Sequence, residues 1–74
     1  MSASVYVMQP IGQSYASNPP RGQPSDALKV LYFMRRHGQK CTNEQIESFV
    51  IPDKWQAQRV MRDLIEMNAI QKIA

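Results

Sequence analysis

The segment Cys41-Thr42-Asn43-Glu44-Gln45-Ile46-Glu47-Ser48-Phe49-Val50-Ile51-Pro52-Asp53-Lys54-Trp55-Gln56 decides how this chain folds. Its first half opens a helix. Thr42, with Gln45 three residues on, fits a capping box, in which the threonine hydroxyl accepts from a first-turn amide and the glutamine side chain returns to the cap amide. Cys41 before the cap and Ile46 after it are spaced as a hydrophobic staple. This helix is short, 43–49, with apolar positions at Ile46, Phe49 and Val50. Pro52 biases Ile51 toward extended geometry, so the chain turns there. Asp53 is then the next N-cap, with Gln56 three residues on as a second capping-box analogue. The stretch reads as helix, tight turn, helix.

Downstream, Ala57, Val60, Met61, Leu64 and Ile65 make an apolar stripe, so the helix that begins at Lys54 extends to Met67. Asn68 suits the left-handed position that ends it. Residues 69–74 alternate apolar and polar in part and read as a strand, with the Gln39-Lys40-Cys41 segment available to pair with it. Upstream, Ser25 is an N-cap and Asp26 a first-turn anion, and Arg35, Arg36 and His37 fill the last turn before Gly38, so a helix spans 26–37. Its residues Ala27, Leu28, Val30, Leu31, Tyr32, Phe33 and Met34 are apolar on nearly every side. A small core needs only one stripe. Either a tightly wrapped three-helix core uses the excess, or a second copy or a protein partner docks on Tyr32 and Phe33.

Residues 1–24 have no helical period. Four of the five prolines (Pro10, Pro19, Pro20 and Pro24) and two of the three glycines lie there. The expectation is a disordered or extended N-terminal tail followed by one domain, 25–74. Val5-Tyr6-Val7-Met8 alone has strand-like composition and could add to an exposed sheet edge.

Composition excludes several classes. One cysteine, Cys41, allows no intrachain disulfide, and with the single histidine it is too little for a closed zinc site. No apolar run is long enough to span a membrane, and the N-terminal apolar stretch has no basic region before it, so the expected location is the cytoplasm. His37 has no nucleophile or carboxylate partner in the sequence, and so small a core is a poor frame for a catalytic pocket. Neither an enzyme nor a cofactor is expected. The net charge is +3, with Arg21 the one charged residue before position 25. So modest a charge makes its placement more telling than its total.

The order long helix, extended link, Thr42-capped short helix, turn through Val50-Ile51-Pro52, long helix and strand resembles the winged helix-turn-helix superfamily over Ser25 to Ala74. The stretch Arg62-Asp63-Leu64-Ile65-Glu66-Met67-Asn68-Ala69-Ile70 looks like that family's passage from recognition helix into the first wing strand, with Asn68 in place of a glycine. The fold implied is mainly α: three helices with a short β wing, truncated because no second long strand follows. The function implied is that of a small, sequence-specific DNA-binding regulator of bacterial or phage type, whose last helix lies in the major groove of double-stranded DNA. On that helix, at about 100° per residue, Trp55, Arg59, Arg62 and Glu66 face away from the core, with Gln56 and Gln58 flanking. Gln56, Gln58 and Arg59 are the candidate base readers, since glutamine and arginine match adenine and guanine edges in the groove. Lys54, Arg62 and Lys40 are the candidate phosphate contacts. Trp55 is expected to pack beneath the short helix; exposed, it would anchor a partner. The other reading of the same scaffold is a protein-interaction module, such as a host-factor modulator or a subunit of a larger complex, acting through Tyr32 and Phe33.

Overall fold

Capping and turn chemistry place the helices close to where the sequence puts them. In this computed structural model, which describes residues 4–18 and 25–73, the chain runs β1 (Val5–Met8), α1 (Pro10–Ser17), α2 (Ser25–Arg36), β2 (Lys40–Thr42), α3 (Asn43–Phe49), α4 (Lys54–Glu66) and β3 (Ile70–Lys72). The described residues are mainly helical, with a small three-stranded antiparallel sheet.

The capping box at α3 is complete. Thr42 Oγ1 accepts from the Gln45 amide at 3.1 Å, and the Thr42 amide donates to Gln45 Oε1 at 3.0 Å. Asp53 Oδ1 accepts from the amides of both Trp55 and Gln56. The glutamine return of a second capping box is missing there, because the Gln56 side chain is engaged elsewhere. Three helices close alike, with an amide donating to a carbonyl five residues back: Gln39 to Met34, Ile51 to Ile46 and Ala69 to Leu64. Gly38 and Asn68 have the positive φ expected of them, and Gln39 joins them at φ 65°. Ser25 is the first residue of α2 rather than its cap, and the residues just before it lie outside the described ones.

The main departure is at the N-terminus. Residues 5–17 are not a disordered or extended tail; they form β1 and α1. The residues that read as breakers occupy positions that tolerate them. Pro10 begins α1, where a missing N–H leaves no helical bond unmade. Gly12 is buried at a close backbone approach. The remainder of the expected tail, 1–3 and 19–24, lies outside the described residues.

β1 is the central strand. It pairs antiparallel with β2 (Tyr6 opposite Cys41) and with β3 (Tyr6 opposite Lys72, Met8 opposite Ile70). The expected pairing of the 39–41 segment with the last strand is therefore absent, because β1 lies between them. β3 has β1 as its partner strand. The valines and aromatic residue of β1 favour a pleated, half-buried position, and in the middle of a sheet its amides find partners on both edges.

Strand alternation puts Tyr6, Met8, Cys41 and Ile70 on one face of the sheet. Met8, Cys41 and Ile70 are buried there in one core with Val30, Leu31 and Met34 of α2, Ile46 of α3, and Ala57, Val60, Met61 and Leu64 of α4. α1 packs on α2, with Ala16 buried and Tyr15 and Ala27 half-buried against the core. Part of the excess apolar surface of α2 is thus covered by the chain's own N-terminal segment. Among the described residues, no buried side chain is polar or charged.

Candidate functional site

The core side of α4 fixes what its other side offers. Ala57, Val60, Met61 and Leu64 turn inward, so Trp55, Arg59, Arg62 and Glu66 fall on the opposite side of the helix, with Lys54 and Gln58 flanking. All six are exposed. Among the described residues, the side chains of Lys54, Gln58, Arg59 and Arg62 have no hydrogen-bond or ion-pair partner. Their donors are available to a ligand. The charges are graded along the axis: Lys54, Arg59 and Arg62 occupy the first three-quarters of α4, and Asp63 and Glu66 its end. The Asp53 carboxylate already takes two of the free amides at the N-terminus, leaving recognition there to side chains.

Two of the sequence-derived site residues are placed differently. Gln56 is half-buried on the flank facing α2, and its Nε2 donates to Asp26 Oδ2 at 3.3 Å. It ties two helices together rather than standing with Gln58 and Arg59. Lys40 is exposed but pairs with Val7, which alternates with the inward Tyr6 and Met8, so it stands on the face of the sheet turned away from the helices. The structure therefore brings Lys54, Gln58, Arg59 and Arg62 together on one helix face, without Gln56 or Lys40.

Trp55 is not packed beneath α3. It is 76 % exposed, on the outer side of the first turn of α4. The reason is rotational: it lies two residues before Ala57, on the far side of the helix from the core stripe. Phe49, which helical spacing from Ile46 puts in the core, is 74 % exposed. It is the last residue of a two-turn helix, where the core no longer continues beneath it. Its ring is stacked with Phe33 at 6.1 Å between centroids, and Phe33 is stacked in turn with His37 at 4.1 Å. Phe33 is half-buried, and Tyr32 beside it is 39 % exposed. The exposure of Phe49 and Trp55 is what sequence reasoning missed; for Trp55 the helical wheel already contained the signal.

The buried thiol of Cys41 belongs to the core. It is 2 % exposed, and burial pushes its pKa up to about 12, far from a reactive thiolate. Among the described residues, no cluster of three His, Cys, Asp or Glu is placed to hold a metal ion, and no helix is long and apolar enough to cross a membrane. Set against protein-family models, curated proteins and solved structures, the chain gives no significant match.

Proposed function

We propose that this chain is a small sequence-specific DNA-binding protein, a transcriptional regulator on a winged helix-turn-helix-like scaffold, with α4 as the helix that enters the major groove. The observation that carries this reading is the outer face of α4, where Gln58, Arg59 and Arg62 are exposed, adjacent and without side-chain partners among the described residues. The short capped α3 and the turn through Val50 to Asp53 hold that face outward, as a recognition helix requires. β1 beside β3 gives the sheet the returning strand that a winged scaffold needs. Gln58 and Arg59 read base edges, and Lys54 and Arg62 bind phosphates. Gln56, held by Asp26, orients α4 and does not read.

The test is a fluorescence anisotropy titration of the full chain against random and genomic duplexes at two salt concentrations. The expected result is binding that weakens steeply with salt, a preferred sequence, and loss of that preference in Arg59→Ala. Unchanged duplex affinity in the Arg59→Ala/Arg62→Ala double variant would remove α4 from the interface.

A further inference from the structure

A second surface combines aromatic rings with positive charge. Phe33, Phe49 and His37 make a cluster of rings inclined to one another by only 16° and 24° in the two stacked pairs, and most of Phe49 is open to solvent. A groove beside them is lined by Lys29, Tyr32, Phe33, Arg36, Phe49 and Val50, and Arg35 adjoins Tyr32 and Arg36 in the neighbouring hollow. Neither lining contains a carboxylate. Lys29 and Arg36 are seven residues apart on the same side of α2, about 10 Å along its axis. They form a cationic row beside the stacked rings, of which Phe49 is largely exposed.

This charge distribution selects the occupant. A second copy of the chain docked face to face by this surface would bring Lys29, Arg35 and Arg36 against their own equivalents, an arrangement that like-charge repulsion opposes. The cationic lining favours an anionic occupant. The surface lies on helices α2 and α3, whose interior amides are used within the helices, so an added strand finds no edge here. Planar groups strung on an anionic backbone fit both features at once. A cationic groove that follows the backbone, with aromatic rings on which bases stack, is how single strands are held without sequence preference.

We propose that the α2–α3 surface is a docking site for single-stranded DNA, with a base stacked on Phe49, the edge of the ring cluster supported by Phe33, and phosphates on Lys29, Arg35 and Arg36. The surface is separate from the duplex-reading face proposed for α4, and the two fail independently.

The experiment titrates full-length protein into fluorescein-labelled dT12 and follows anisotropy at about 50 and 200 mM salt. Phe49→Ala and Arg36→Ala are expected to weaken dT12 binding by about tenfold each. Arg36→Ala should also lower the salt slope by about 0.7. Arg59→Ala/Arg62→Ala should leave dT12 affinity unchanged. Because Phe49 is largely exposed, Phe49→Ala should keep the wild-type circular dichroism spectrum, which guards against loss through unfolding. The proposal is overturned if dT12 does not bind at low salt, or if Phe49→Ala binds it as well as wild type. It is equally overturned if the α4 variants abolish binding, if polyglutamate competes as well as dT12 does, or if sedimentation shows a dimer that Phe49→Ala dissociates.

Discussion

Gly12 and Ala69 meet backbone to backbone: a Cβ placed on Gly12 would lie 2.2 Å from the Ala69 carbonyl oxygen. That carbonyl also accepts the Gln9 amide at 2.9 Å, so the entry to α1 is locked against the entry to β3. Gly12→Ala should therefore destabilise the protein, although alanine is the better helix former. The nearest obstacle is backbone, which cannot rotate aside, and overpacking of this kind costs about 1–3 kcal/mol or more. Urea denaturation should show a lower midpoint; a rise would mean that α1 does not pack as described.

The N-terminal segment should be needed for folding. Met8 is buried in the sheet face of the core, and its amide donates to the Gln39 carbonyl at 2.9 Å. Met8→Ala is expected to cost about 2–5 kcal/mol, a large share of the stability of so small a domain. Thermal melts followed by circular dichroism would check this. A dispensable tail would instead leave the melting temperature within a degree or two.

Cys41 gives the chain an alkaline limit. Its folded pKa, near 12, is raised above the ordinary value of 9.0 by burial. Between those values the unfolded chain gives up a proton that the folded chain keeps, so this contribution to stability is complete below pH 9 and is lost as pH rises toward 12. Cys41→Ser should flatten the alkaline limb of a stability–pH profile, at the cost of a hydroxyl in an apolar site. In the native protein at pH 8, labelling by a disulfide reagent should be slow and should accelerate sharply in denaturant.

The two arginines of α4 should behave differently on duplex DNA. Arg62→Ala is expected to weaken binding to all sequences alike and to reduce the salt slope by about 0.9. Arg59→Ala should lose about 1–3 kcal/mol of discrimination at one base pair. Gln56→Ala should leave the sequence preference intact and lower stability by about 1 kcal/mol, because its hydrogen bond goes to Asp26. If Gln56→Ala alters specificity while Arg59→Ala does not, the roles assigned along the helix are reversed.

What could be read in the sequence was local. The box at Thr42 and Gln45, the cap at Asp53, the left-handed positions at Gly38 and Asn68, and the stripe from Ala57 to Leu64, without Ile65, which is exposed, each follow from spacing within one element. They appear where the spacing puts them, within a residue at the ends. What escaped was non-local. Nothing near Val5 says that Thr42 and Lys72 lie across from its strand, and nothing near Gly12 announces Ala69. Pro10 and Gly12 look like disorder until a helix start and a close approach are known. Gln56 looks like a base reader until Asp26, thirty residues away, is placed beside it.

The central strand also brings Val5 beside Ile73. The Ile73 amide donates to the Val5 carbonyl at 2.9 Å, so β1 and β3 form a hairpin that lacks only its loop. Residues 74 and 1–4, joined by one peptide bond between 74 and 1, would supply a five-residue connection from Ile73 to Val5, a length that hairpins use. A circular permutant made this way and reopened between α1 and α2 would run α2, β2, α3, α4, β3, β1, α1. Every contact described would survive, while the pairing of β1 with β3 would change from a distant encounter to a local one. Closing β1 on β3 would then cost less, while the packing of α1 on α2 would become the distant encounter, so the refolding rate would report which of the two pairings limits folding.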